Sequence, residues 1–419
     1  MATYSLTKKI YGNEMAPFIL SIILGSWFHF LMSARTLSNS METVLTIIAM
    51  KDWPFPSMVD INGSSWIGNY RKSLLWASLA CITRPTNALI WVFLGLQLLY
   101  YSSRRYLVLM NAGLIVSLVL MINIGLDTVL YKGGFDALQH GDIVFVPWTF
   151  IKTNVLESIS VFYGAHPFHW YLSQGLPLML LTYLPLTAIG MIYNNKKGSR
   201  NLIYLVMWVV GVYSFLSHKE FRFIYPIFPL LLMFTAHGLS VVWNKSSRRW
   251  RWILIAILWI PQCIFALYVS LWHQRGVMDV MVWLGEQTPS SSSIGFLMPC
   301  HSTPWHSVMH QPEKKDIMWF LTCEPPILND NNKTTADVYM DQADIFYQDP
   351  VTFLSKDMPY SWPDYLVMFD PLLQEPGIKT LLLQNKGYTV CQRFFNSHVH
   401  WDHRRKGDVI VLCAPSTLP

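Results

Sequence analysis

Two apolar runs separated by a cluster of charge constrain this chain more than any other feature. LIYLVMWVVGVYSFL ends at Leu216, and FIYPIFPLLLMF begins at Phe223. Between them lie Ser217, His218, Lys219, Glu220, Phe221 and Arg222. A charge forced to the centre of a bilayer costs ~2.5–3.5 kcal/mol on insertion scales. The cluster therefore belongs at an interface or in a watery cavity, where Lys219, Glu220 and Arg222 can pair. A short loop whose charges anchor two helices is one reading. A site that grips an anionic ligand where membrane meets water is the other. An ordinary anchor needs neither His218 nor Glu220, which favours the site.

The composition agrees with a membrane setting. The 419 residues are 52% hydrophobic and only 13% charged, whereas soluble domains are about a quarter charged. The 18 Trp and 20 Tyr are residue types that favour membrane interfaces. The class is a polytopic α-helical membrane protein with the lipid bilayer as partner. Net charge +6 comes mostly from short basic loops, so no nucleic-acid partner is expected.

Apolar runs of near-spanning length fall at about 15–33, 105–126, 174–193, 201–217, 222–243 and 252–272. The first is read as a retained helix, because no convincing small-residue cleavage site follows it and Arg35 comes soon after. Residues 73–101 are interrupted by Thr83-Arg84-Pro85-Thr86. They read as a helical hairpin with Arg84 at its tip. Residues 36–50 read as a partly buried helix capped by Asn39 or Ser40, with Glu42 in its first turn.

Basic loops occur at Ser103–Arg105, at Lys196–Arg200 and at Lys245–Arg251. The positive-inside rule places all three in the cytosol. The long loop at 127–173, the 217–222 cluster and everything after residue 272 then fall on the opposite side. Residues 1–272 are thus expected to form a helical bundle with a luminal loop at 127–173. Residues 273–419 have no spanning run. Their strand-like pieces, 293–298 and 408–413, point to a small luminal α/β domain. Cys300, Cys323, Cys391 and Cys413 lie there, and a non-cytosolic location permits disulfides. Four cysteines allow three pairings, which the sequence leaves open. His301, His306 and His310 lie near Cys300, but the spacings fit no common zinc pattern. No metal or cofactor is expected.

The luminal loop enters the next span through FYGAHPFHWYLSQG, residues 162–175. Its aromatic rings can stack on sugar faces, and its histidines can hydrogen-bond a phosphate or hydroxyl. An aromatic belt with incidental histidines is the plainer reading. Because this loop and the charged cluster share one side, a cavity lined by both would suit a phosphate-linked sugar. His166, His169 and Trp170 join Arg84, His218, Lys219, Glu220 and Arg222 as candidate substrate-binding residues.

RTLSNSMETVLTIIA (35–49), TRPTNALIW (83–91), FYGAHPFHWYLSQGLP (162–177), SHKEFRFIYPIFPLL (217–231), HQRGVMDVM (273–281) and FLMPCHSTPWHS (296–307) resemble, in order, the mannosyltransferases of glycosylphosphatidylinositol (GPI) anchor assembly. These belong to glycosyltransferase family 22, whose signature HKEFRFIYP resembles. The resemblance implies a GT-C bundle in the endoplasmic reticulum membrane, with a luminal active site. It implies transfer of a third mannose, in α-1,2 linkage, from dolichyl-phosphate mannose to a GPI precursor. It also implies an acidic residue in a His-Pro-Asp-Glu-like motif after the first helix, as general base. This chain has no such motif: Glu14, Glu42, Asp52 and Asp60 are its first carboxylates. The expectation is an N-terminally incomplete piece, or an isoform without the base, and no catalytic residue is assigned. A silent member that binds lipid-linked sugar is the alternative. A membrane transporter is a third reading, weakened by the lack of repeated halves.

The orientation has a direct consequence. A tag after residue 419 is expected to survive protease in sealed microsomes. Asn332-Lys333-Thr334 is expected to accept N-glycan, and Asn62 and Asn244 are not. Digestion of the tag without detergent would reverse the topology.

Overall fold

The computed structural model describes residues 1–136, 140–157, 159–194, 196–310, 317–325 and 339–417. Asn332-Lys333-Thr334 lies outside them, as does the side chain of His306. The chain divides into two compact units, residues 1–266 and 267–419.

The first unit is helical. Its principal helices are α1 (Ala2–Tyr11), α2 (Ala16–Gly25), α3 (Trp27–Ser33), α4 (Ser38–Asp52), α5 (Ile67–Thr83), α6 (Ala88–Tyr101) and α7 (Arg105–Lys132). These are followed by α8 (Leu184–Ile192), α9 (Lys197–Phe215), α10 (Phe228–Lys245) and α11 (Arg248–Leu271). Among the described residues, four helical stretches are long and apolar enough to cross a membrane: Arg105–Lys132, Tyr171–Ile192, Phe221–Lys245 and Arg248–Gln287. At 1.5 Å per residue, the 28 residues of α7 reach ~42 Å. Leu114, Leu118, Met121, Leu126 and Leu130 are exposed along it, as a lipid-facing surface requires.

Three sequence expectations change in detail. The run at 15–33 is not one helix, because α2 and α3 meet at a 67° bend. Gly25 and Ser26 sit at the bend, a pairing that favours kinks. Ser26 caps α3 by accepting from the His29 amide at 3.3 Å. The amide of Trp27, freed by the break, donates to the Gln262 side chain at 3.1 Å. Second, α7 continues to Lys132, where Gly133 adopts φ 81° and ends it. Third, Leu37, not Asn39 or Ser40, occupies the N-cap of α4, with no side-chain cap. The segment at 73–101 is two helices broken at Arg84, whose φ −149°, ψ 114° is extended. Pro85 explains the break, since the residue before proline is disfavoured in helix.

The closest helix crossing in the unit lies between α8 and α10. A Cβ on Gly190 would overlap the carbonyl of Phe234, and one on Gly238 would overlap the carbonyl of Leu186. Beside them the Thr187 and Thr235 hydroxyls share a buried hydrogen bond of 2.8 Å. Lipid tails are as apolar as side chains, so close backbone approach and interhelical hydrogen bonds replace the hydrophobic drive between helices.

The second unit is built on a five-stranded sheet in the order β2-β1-β3-β5-β4. Its strands are β1 (Ile294–Leu297), β2 (Met318–Phe320), β3 (Tyr365–Phe369), β4 (Thr389–Ser397) and β5 (Gly407–Cys413). β1 pairs in parallel with β2 and β3, and β5 pairs antiparallel with β3 and β4. All five residues of β3 are buried, which explains its unbroken apolar sequence: both faces are covered. One face carries Leu366, Met368, Ile410 and Leu412 against Phe346, Phe353 and Leu372. The other carries Val367, Val409 and Val411 against Val280, Met281 and Leu284 of α12 (Gly276–Gln287). The strands expected at 293–298 and 408–413 are β1 and β5.

The glycine crossing predicts a position-specific cost. Gly190→Ala and Gly238→Ala are each expected to lose ~1–3 kcal/mol by overpacking. Gly113→Ala, which meets open space, is expected to lose nothing. Thermal unfolding in detergent measures all three; equal behaviour would mean that the crossing yields freely.

Candidate functional site

α9 ends at Phe215 and α10 begins only at Phe228, with Pro229 in its first turn and Pro226 in the stretch before it. Leu216 is extended (φ −73°, ψ 139°), and so is Glu220 (φ −136°, ψ 153°). A 3₁₀ stretch, Phe221–Ile227, follows before α10. Extended backbone has unpaired amides and carbonyls, and here the 164–175 loop supplies partners. The His166 amide donates to the Ser217 carbonyl at 2.9 Å. His218 Nδ1 lies 2.8 Å from the Gly164 carbonyl. Lys219 Nζ donates to the His166 carbonyl at 2.9 Å and also to the Leu216 carbonyl. Gly164 itself has φ 106°, a conformation that suits glycine.

These bonds fix where each charge points. Lys219 is only 3% exposed, with its ammonium held by carbonyls. Burial lowers its pKa. Glu220 faces two basic side chains: His218 Nε2 at 3.2 Å and Arg222, whose Nε lies 2.6 Å from Oε2 and whose Nη2 donates to Oε1 at 2.6 Å. Burial alone would raise the Glu220 carboxyl, but the bonds from His218 and Arg222 hold it below its usual range. The same Glu220 bond raises the pKa of His218. Burial, then the nearby His218 and Lys219, depress His166. The Arg222 side chain remains 41% exposed.

Aromatic packing carries the loop. The His166 ring stacks on Trp170, centroids 4.8 Å apart, and Trp170 meets Phe221 at 4.9 Å. Trp170 is 4% exposed, so it is a floor beneath His166. Tyr171 is fully buried and donates from its hydroxyl to the Glu220 carbonyl at 3.1 Å. His169 is exposed, and its ring pairs with Ser173 at 2.9 Å on its own turn.

A second polar cluster underlies the charged turn. Glu42 on α4 is 2% exposed. It accepts from Asn87 at 2.9 Å and from Asn39 at 3.3 Å, with Arg84 Nε at 3.4 Å. Asn39 also donates to the Arg222 carbonyl at 3.2 Å. The Arg84 guanidinium lies 6.0 Å from the Phe223 ring centroid. His166, Trp170, His218, Lys219, Glu220 and Arg222 are thus brought together, and Arg84 reaches them through Glu42, Asn39 and Phe223. Asn39, Asn87 and Tyr171 are participants that sequence reading missed. Asn39 and Glu42 at i, i+3 on α4, and Asn87 four residues after Thr83, were the available signal.

The arrangement gathers Arg222, Arg84 and His218 around two carboxylates, with Lys219 on neighbouring carbonyls and the Arg222 side chain 41% exposed. Family membership now follows from comparison with known proteins. A profile described as the Alg9-like mannosyltransferase family matches residues 1–310. The chain belongs to that family. It is 40% identical to "GPI mannosyltransferase 3" of Candida albicans over 421 residues, covering 98% of this chain and 79% of that protein. It is 36% identical to "GPI alpha-1,2-mannosyltransferase 3" of Mus musculus over 414 residues, covering 97% of this chain and 70% of that one. In fold it is similar to the crystal structure of ArnT from Cupriavidus metallidurans. There the TM-score is 0.50 at 11% identity, over 99% of this chain and 81% of that one. The chain is therefore a membrane-embedded glycosyltransferase of the GT-C fold, which sets aside the transporter reading.

The His218–Glu220 pair makes the site pH-dependent. An ordinary histidine titrates near ~6.5. His218 is raised, so its contribution to stability is complete below that value and drains away as pH rises through the raised one. Glu220 is lowered; its contribution is complete above the ordinary ~4.3 and is lost as pH falls through the depressed value. Melting temperature is expected to fall as pH rises above about 6.5, through the raised His218 value. His218→Asn is expected to flatten that limb. Parallel curves for the two proteins would place the dependence elsewhere.

Proposed function

We propose that this protein adds the third mannose to a GPI precursor, in α-1,2 linkage, from dolichyl-phosphate mannose at the luminal face of the endoplasmic reticulum. The observation that carries this reading is the partly exposed Arg222 side chain, held beside His218 by Glu220 at the helix break between α9 and α10. The names of the relatives, aligned over 97–98% of this chain and 70–79% of theirs, support mannose transfer to a GPI acceptor. In this reading Arg222 and His218 face the donor phosphate, and Glu220 orients both. When the acceptor hydroxyl attacks the mannose anomeric carbon, the bond to phosphate breaks and its electrons stay on dolichyl phosphate. Charge grows on that phosphate, where pre-positioned cations stabilise it most. Lys219, committed to carbonyls, holds the His166 loop in place. His166 on its Trp170 floor offers a ring to the sugar. Exposed His169 and the more distant Arg84 serve as outer contacts of the glycan and of the 217–223 turn. The general base is not assigned, because Glu220 and Glu42 are both committed to cations.

That commitment favours one second reading, a member that binds lipid-linked sugar without transfer. The test is radiolabelled dolichyl-phosphate mannose incubated with purified protein and a GPI precursor bearing two mannoses. The expected product carries label that α-1,2-mannosidase removes. Bound donor without transfer supports the second reading, and neither binding nor transfer overturns both. Arg222→Ala is expected to weaken donor binding by roughly tenfold or more, consistent with loss of a charge-assisted contact. Arg222→Lys is expected to fall between, since lysine lacks the planar fork. Unchanged donor affinity in Arg222→Ala would return the charged turn to a simple anchor.

A further inference from the structure

We propose that Cys300 and Cys323 form a second disulfide in the 267–419 unit, stapling the segment that follows β1 to the segment that follows β2. β1 and β2 are neighbouring parallel strands, with Ile294 opposite Met318 and Phe296 opposite Phe320. In-register parallel strands deliver the residues beyond them to the same edge of the sheet. Cys300 and Cys323 each lie three residues past their strand. Their sulfur atoms and an Asp341 carboxylate oxygen all lie within 4.8 Å of one another. An S–S bond at its usual ~2.05 Å requires the two sulfur atoms to draw closer from that range.

The same three side chains invite comparison with a metal site, and their surroundings oppose it. Asp341 is already engaged: Oδ1 accepts the Asp344 amide at 2.7 Å as a helix cap, and Oδ2 accepts from Cys300 Sγ at 3.3 Å. The Arg405 guanidinium donates to the Cys300 carbonyl, placing a fixed positive charge beside the thiols. A cation there raises the cost of binding another. The unit also carries the Cys391–Cys413 disulfide between β4 and β5, which points to an oxidising compartment.

The staple has a structural task. β2 is three residues long, partly exposed and at the edge of the sheet, so its ladder alone holds it weakly. A covalent tie just beyond it fixes the edge. Formation removes two protons and two electrons from the thiols. A protein disulfide of the exchange-oxidant class accepts them. One cysteine thiolate attacks that disulfide, and the second displaces the oxidant as a dithiol.

The proposal rests on the luminal placement given under Proposed function, and Cys391–Cys413 serves as the control for it. The full chain is purified from secretory-pathway membranes in detergent. Free thiols are alkylated under denaturing, non-reducing conditions, and peptides are mapped by mass spectrometry. Cys300 and Cys323 are expected in one linked pair of peptides. Alkylation of both while Cys391–Cys413 stays linked overturns the proposal and leaves the compartment intact. Alkylation of all four overturns both. Linkage of Cys300 or Cys323 to another cysteine, or stoichiometric metal by elemental analysis, also overturns it. Cys300→Ser, Cys323→Ser and the double variant are expected to lower the melting temperature equally, by roughly 5–10 °C. Additive losses would show two independent thiols.

Discussion

The buried ammonium of Lys219 is the interaction on which the site depends. A charge taken out of water carries a penalty of several kcal/mol unless its protons find acceptors. The acceptors here are backbone carbonyls. The Leu216 carbonyl lies at the C-terminal end of α9, where the helix dipole is negative. The His166 carbonyl comes from the loop. One cation thus ties the end of a helix to a loop some fifty residues earlier. The His166 amide to Ser217 and His218 to Gly164 reinforce that tie from either side. Removing the ammonium would leave these carbonyls without it and release the loop that carries Trp170.

With Lys219 turned inward, the remaining charges divide their roles. Glu220 cannot serve as a free base while His218 and Arg222 both contact it, but it can set their positions. Of the two basic partners of Glu220, Arg222 is the more exposed. An anion arriving at the turn meets a guanidinium whose orientation is already fixed, so little side-chain entropy is lost on binding. Beneath, Glu42 takes the same part toward Arg84, Asn39 and Asn87. Asn39 connects the two clusters through the Arg222 carbonyl. Two carboxylates, each wedged among donors, hold the turn from opposite sides.

Much of this was legible in the sequence, for definite reasons. Apolar runs mark membrane-length helices because lipid admits nothing else, and strands buried on both faces leave unbroken apolar pieces such as Leu366–Phe369. The charged turn stood out because four ionisable residues between such runs are costly unless used. What remained hidden depends on three-dimensional neighbours. The break at Ser26 needs Gln262, which comes from α11. The role of Asn87 needs Glu42 across a helix pair. Lys219 and Arg222 are interchangeable in a charge count, yet one is buried on carbonyls and the other open. No spacing rule separates them, since the difference is set by where the loop carbonyls fall. The cysteines were legible as a set; only the sheet order shows which strands bring them together.

The helix break between α9 and α10 also gives the site its backbone chemistry. In hydrocarbon every backbone polar group must be satisfied within the protein, so non-helical backbone is tolerated only where it is buried or lines a cavity. Between α9 and α10 the backbone is extended at Leu216 and Glu220 and 3₁₀ through Pro226. Those residues then carry amides and carbonyls with no helical partner. A plain loop would satisfy them with water. Here the 164–175 loop, Tyr171 and Asn39 satisfy them instead. Backbone needs are thereby met by protein, and the side chains of the turn are released to face a ligand.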